Sequence, residues 1–167
     1  MNRYDTAIKT LVLGIGNILK KDDGVGVHVA NILRDEYPDL VESAEIIDGG
    51  TAGLDCLPLM TGRERIIVID ALKAKSEPGS LYHFRAKHLI DDGSPYSQHQ
   101  LGLASIVRML KLLGHEPEIE VIGIVPGDIA SDEIGLTPAV ASSARRAALM
   151  VRDMIGESAQ TTLHGGR

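Results

Sequence analysis

The chain has 167 residues, of which 44% are apolar and 24% are charged, so it is long enough for one globular domain with a substantial core. Its formal net charge of −6 disfavours nucleic acid or an anionic membrane as a partner, and its single cysteine excludes an internal disulfide. Because no apolar run reaches the roughly 18 residues of a membrane span and residues 1–10 lack the apolar stretch of a signal peptide, we expect a soluble, cytoplasmic protein.

The first predicted elements are a strand, a glycine turn and a helix. Residues 11–13 form a short apolar run that is typical of a buried parallel strand. Gly14 and Gly16 interrupt this run, and two adjacent carboxylates, Asp22 and Asp23, precede a segment with helical apolar spacing. Residues just beyond the carboxyl end of a parallel strand face the ligand crevice of an α/β sheet, so this turn directs acids towards a site.

The rest of the chain continues the α/β pattern. Further strands are predicted at 45–48, 65–70, 80–84 and 119–125, and further helices at 54–60, 98–113 and 138–155. Only about eight residues separate the third and fourth strands, too few for a parallel crossover, so the fourth strand should be antiparallel and at or near an edge.

The predicted fold class is therefore α/β, with three α/β/α layers and one mixed, mostly parallel five-stranded sheet. We expect one domain over residues 1–156, a polar loop at 91–97 and a disordered tail at 157–167.

Three side chains should meet at the carboxyl ends of the parallel strands. Asp23 follows the first strand, Asp70 ends the third, and His99 lies at the start of a helix. Two carboxylates and one imidazole suit a transition-metal ion. Each residue also has an ordinary interpretation: Asp22 or Asp23 as a helix cap, Asp70 as a turn residue and His99 as an exposed histidine.

Other chemistries have weaker support. The Gly14–Gly16 pair resembles part of a dinucleotide fingerprint, but Leu19 replaces its third glycine, and the acids before the helix would repel a pyrophosphate. Neither a Gly-x-Ser-x-Gly nor a His-Glu-x-x-His motif is present. Cys56 lies among leucines, which indicates a buried structural thiol.

Five segments, in order, resemble the motifs of the nickel-iron hydrogenase maturation endopeptidases. The segments are Gly-Ile-Gly-Asn-Ile-Leu with Asp-Asp-Gly-Val-Gly at 14–26, Asp-Gly-Gly-Thr-Ala-Gly at 48–53, Ile-Val-Ile-Asp-Ala at 67–71, Ser-Gln-His-Gln-Leu-Gly-Leu at 97–103 and Gly-Leu-Thr-Pro at 135–138. The resemblance extends over about residues 11–155.

This resemblance implies a protease that removes the C-terminal extension of a hydrogenase large-subunit precursor once nickel has been inserted. Nickel, contributed by the substrate, would be the recognition element, and other divalent transition ions could bind in vitro. The family's metal-contacting residues match Asp23, Asp70 and His99, with Asp23 standing where some members have Glu. The two acids are also the candidate catalytic residues. The segment that begins at Asp48 and continues through Gly49, Gly50 and Thr51 would lie beside the substrate.

Several alternatives stay open from the sequence. Nickel could polarise the peptide carbonyl or activate a water, or Asp23 could act as a general base. A non-catalytic nickel-binding maturation chaperone would use the same three ligands, and a nucleotide-binding enzyme would use the glycine turn for phosphate.

Overall fold

The computed structural model describes residues 8–87 and 98–164, although the side chains of 98–101 and 158–164 lie outside the description. The predicted polar loop at 91–97 therefore falls outside the described residues. The described residues contain five strands: β1 (Thr10–Ile15), β2 (Glu45–Gly50), β3 (Arg65–Ala71), β4 (Leu81–Arg85) and β5 (Glu118–Ile124). The α-helices are α1 (Val25–Glu36), α2 (Leu57–Met60), α3 (Gln98–Leu112) and α4 (Pro138–His164), and 3-10 turns span Lys21–Gly24, Pro38–Glu42 and Gly53–Cys56.

The strands form a single sheet in the order β2-β1-β3-β5-β4. β1 pairs in parallel with β2 and β3, and β3 pairs in parallel with β5. β4 pairs with β5 in the antiparallel direction and lies at the edge. The predicted mixed, mostly parallel sheet and its antiparallel edge strand are confirmed.

Alternating residues of the central strands divide the core between the two faces of the sheet. On β3, Ile67 and Ile69 pack with residues of α1 and α4, whereas Ile66 and Val68 pack with Met60 of α2 and with α3. All four of these β3 side chains are fully buried. Both faces of the sheet are thus covered by helices, which gives the three predicted layers.

β2 and α4 both end later than the sequence predicts. β2 continues through Gly50, which pairs with Ile15 after an irregularity in the β1–β2 register, so the glycine-rich segment begins inside the sheet. α4 was expected to end near Ile155 but continues to His164. No proline interrupts this segment, and the first glycines after Gly156 are at 165 and 166. Among the described residues, no helix has both the length and the apolar character needed to span a bilayer.

Candidate active site at the carboxyl edge of the sheet

The turn after β1 is packed so closely that only glycine fits at two of its positions. Gly16 has a φ of +140°, and a Cβ there would lie 1.9 Å from the Asp23 carbonyl oxygen. A Cβ at Gly26 would lie 2.1 Å from the Ile69 carbonyl oxygen, so the start of α1 rests directly on the end of β3. The chain itself fills the glycine turn, which argues against the turn as a phosphate cradle.

This packing places two of the predicted site acids at the same edge of the sheet. Asp23 lies in the 3-10 turn that contacts β3, is half-buried, and accepts a hydrogen bond from the Asn17 N–H to Oδ2 at 3.1 Å. Asp70 is the penultimate residue of β3 and is only 3% exposed. Its Oδ1 accepts a hydrogen bond from the Ala71 N–H at 2.8 Å. Both carboxylates therefore lie at the carboxyl ends of adjacent parallel strands.

His99 belongs to the first turn of α3, as the sequence predicts, but its side chain lies outside the described residues. One helical turn later, Leu103 is 4% exposed and packs in the same core as Val68. At the other end of α3, Leu110 lines a cavity together with Ile119, near the amino end of β5. The amino end of α3 consequently points towards the edge that carries Asp23 and Asp70. Within the described residues, no group of three His, Cys, Asp or Glu side chains is arranged for a metal ion, and the three-ligand set stays a prediction.

The predicted substrate-binding segment forms the end of the neighbouring strand β2 and the first residue beyond it. Asp48 is exposed, and its Oδ1 accepts a hydrogen bond from the Gly50 N–H at 2.9 Å. Gly49 is buried, and Thr51 is exposed. The Gly50 carbonyl accepts a hydrogen bond from the Gly16 N–H at 2.8 Å, which joins this segment to the turn that carries Asp23. The four residues Asp48 to Thr51 therefore lie at the same edge of the sheet as the two acids.

Asp22 has a role that the sequence does not reveal. Its carboxylate is completely buried and accepts hydrogen bonds from the backbone N–H groups of Gly127, Asp128 and Thr137, at 2.7–2.9 Å, and from the Thr137 hydroxyl. Asp22 thus anchors the connection before α4 instead of capping the adjacent helix α1. No local pattern could have indicated this function, because its partners lie more than 100 residues away in the sequence.

The predicted burial of Cys56 is confirmed, since its side chain is only 2% exposed. Burial, followed by the nearby charge of Asp55, raises the pKa of the thiol. Both effects disfavour the thiolate, which is the nucleophilic form of cysteine. The geometry therefore gives no support for a cysteine-dependent hydrolytic mechanism.

A family model and a curated relative each match most of this chain. Residues 27–154 match the family model HycI, which is described as hydrogenase maturation protease. The chain is 38% identical over 143 residues to the hydrogenase 2 maturation protease of Escherichia coli K12, covering 80% of this chain and 82% of that protein.

Solved structures show the same relationship. The hydrogenase-maturating endopeptidase HybD of E. coli superposes with a TM-score of 0.75 at 33% identity, covering 90% of this chain and 94% of that one. The [NiFe] hydrogenase maturation protease HybD of Thermococcus kodakarensis superposes with a TM-score of 0.73 at 27% identity, covering 89% of this chain and 99% of that one. This chain therefore belongs to the hydrogenase maturation protease family and is a peptidase that acts in the processing of a hydrogenase precursor.

Proposed function

We propose that this peptidase removes the C-terminal extension of a nickel-iron hydrogenase large-subunit precursor after nickel insertion, and that the nickel carried by the precursor is what it recognises. The observation that carries the proposal is the packing of the Asp23 turn onto the end of β3, beside Asp70. Carboxylates at this edge, together with an imidazole from the first turn of α3, would supply oxygen and nitrogen ligands that suit nickel.

A partial ligand set explains selectivity for the loaded precursor. Three protein ligands leave coordination positions open for groups that the precursor itself provides. Nickel held jointly by enzyme and precursor would increase the affinity for the loaded form without a separate sensor. The names of the relatives, as proteases and an endopeptidase, favour this activity over a non-catalytic chaperone.

The two acids differ in a way that separates their proposed roles. Asp70 is almost fully buried, and a buried carboxylate is stabilised by a cation that it ligates. Asp23 is half-buried, and its Oδ2 is oriented by the Asn17 N–H, so it is the acid better placed to meet water and substrate. We assign Asp70 chiefly to nickel binding. Asp23 would either complete the nickel site or accept the proton of the attacking water, because one carboxylate serves poorly as tight ligand and free base together.

The decisive experiment incubates the protein with nickel-loaded and nickel-free precursor and measures product mass. We expect cleavage of the loaded precursor alone, and a loss of activity of at least about 100-fold in Asp23→Asn and Asp70→Asn. Asp35→Asn is the matched control, since Asp35 is an exposed acid near the far end of α1. Equal cleavage of both precursors would remove nickel from the recognition step, and tight binding without cleavage would support a chaperone.

A further inference from the structure

A cavity of about 100 Å³ lies against the glycine-rich segment at the end of β2. Its walls are apolar: the aliphatic side chains are Leu13 and Ile15 of β1, Val68 of β3, and Leu103 and Ile106 of α3, and the sulfur-bearing ones are Cys56 and Met60. Six of these side chains are at most 4% exposed, and Ile15 is partly buried. Because its walls belong to regular, tightly packed elements, the cavity is preformed.

One side of the cavity is bounded by three glycines and a threonine. Gly50 ends β2, Thr51 and Gly53 follow it, and Gly102 belongs to α3. A Cβ built on Gly53 or on Gly102 would meet no heavy atom of the described residues within 4 Å. Among the described residues, this side therefore leaves space through which a group on a bound chain can reach the apolar walls.

The cavity adjoins the candidate active site. Val68 and Asp70 are two residues apart on β3, so their side chains leave the same face of the sheet. Gly50 lines the cavity, and its carbonyl is bonded to the Gly16 N–H in the turn that carries Asp23. A peptide held at the two acids would consequently have one of its side chains within reach of the cavity.

We propose that this cavity is a specificity subsite that takes the branched aliphatic side chain of a residue flanking the bond to be cleaved. The inference rests on the proposed proteolytic function. A cavity of about 150 Å³ with similar walls can hold benzene, so this smaller one fits a valine, leucine or isoleucine side chain and not an aromatic one. Aliphatic walls offer no compensation for burying a charged or amide side chain.

The first test varies both partners of this contact. Precursors with Gly, Ala, Leu, Phe or Asp at each residue flanking the cleaved bond are compared by kcat/KM. Wild-type protein should prefer Leu over Gly by about 10-fold or more at one of these positions, and should reject Phe and Asp. Gly102→Leu, which places a side chain on the open side of the cavity, should abolish that preference, so that Gly and Ala precursors are cleaved as well as the Leu precursor or better.

Gly156→Leu is the matched control. Gly156 is also a helical glycine at which an added Cβ meets no described residue within 4 Å, and it lies in α4, far along the chain from the site. It should retain the wild-type preference, and circular dichroism should show that both variants are folded. A wild-type enzyme that is indifferent to the side chain at both flanking positions would overturn the subsite. An equal loss of kcat/KM for every precursor in Gly102→Leu would also overturn the subsite, because that result would indicate a disturbed α3 start instead of a filled cavity.

A second test does not depend on catalysis. Titration with N-acetyl-leucinamide should shift the methyl NMR signals of Leu13, Val68 and Leu103, whereas N-acetyl-glycinamide should not, and Gly102→Leu should abolish the effect. Absence of these shifts in wild-type protein would overturn the subsite even if cleavage is intact. Methyl shifts without cleavage of any precursor would support the subsite and contradict the proposed proteolytic reaction.

Discussion

The carboxylate of Asp22 accepts two hydrogen bonds from Thr137, one from its backbone N–H at 2.7 Å and one from its hydroxyl at 2.8 Å. Thr137 immediately precedes α4, so the pair links the turn after β1 to the start of the last helix. The adjacent ion pairs Lys20–Asp132 and Lys21–Glu133 join the same two segments at the surface. Asp22 and Asp23 are neighbours in sequence, but Asp22 anchors the connection before α4, whereas Asp23 is the residue that we propose for the active site.

Replacing Asp22 with Ala should lower the free energy of unfolding by about 3 kcal/mol or more. The substitution leaves four donors without their buried acceptor, and hydrogen bonds to charged groups contribute about 1.5–3 kcal/mol each without full additivity. Urea denaturation followed by circular dichroism measures the change. Asp35→Ala, at an exposed position on α1, should change stability by less than about 0.5 kcal/mol. A similar small effect for both variants would contradict the anchoring role of Asp22.

Gly16→Ala should cost at least about 3 kcal/mol and should also reduce precursor cleavage. The new Cβ would lie 1.9 Å from the Asp23 carbonyl oxygen, and the φ of +140° is unfavourable for any side chain. Gly114→Ala is the comparison, because Gly114 also has a positive φ, of +77°, but open space around its Cβ position. It should cost only about 1–2 kcal/mol, the usual penalty for a left-handed residue. Thermal unfolding distinguishes the two, and equal costs would mean that the turn can relax.

Acid should destabilise the protein partly through Glu120. Burial alone raises the pKa of this carboxyl, but hydrogen bonds from Arg65 and His83 outweigh burial and hold the pKa below its usual value of 4.5. A depressed pKa in the folded state gives a stabilisation that is complete above about pH 4.5 and is lost as pH falls through the lower folded value.

The measurement is the free energy of unfolding between about pH 3 and 7, for wild type and Glu120→Gln. The variant should be less stable near neutral pH and should show a smaller loss of stability in acid. Glu118→Gln serves as the control, because Glu118 lies two residues away on β5 and its side chain is 48% exposed in its ion pair with Arg85. An unchanged acid slope in Glu120→Gln would contradict the assigned cause.

Replacing His99 with Ala should abolish processing while the fold is retained. The change removes the only nitrogen ligand of the proposed set and leaves carboxylates, which suit magnesium or calcium better than nickel. Since loss of outer-shell partners alone typically costs about 10–100-fold, loss of a ligand should exceed about 100-fold. Precursor cleavage on gels measures the effect.

His115→Ala is the matched histidine control, because His115 lies just beyond the opposite end of α3. The His115→Ala protein should cleave the precursor at the wild-type rate. A folded His99→Ala protein that cleaves normally would remove this residue from the site.

The sequence by itself determined the order of the elements and the layered fold. Continuous apolar runs mark strands that are buried on both faces, as β3 is, and the short connection after it forces β4 into the antiparallel direction. Topology alone also predicts that the candidate acids lie at one edge of the sheet, because each follows or ends a parallel strand and parallel strands end at the same edge. Asp23, Asp70 and the segment after β2 were identified in this way and by their motifs.

Only the tertiary structure decided which of two adjacent acids is buried as an anchor and which is only partly buried. Asp22 finds its donors more than 100 residues away, and the ion pair of Arg65 with Glu120 spans 55 residues, so neither contact leaves a local signal. The apolar cavity also depends on side chains from β1, β3 and α3 that meet only after folding. Periodicity describes one element at a time, whereas hydrogen-bond partners and cavities are set by how several elements pack together.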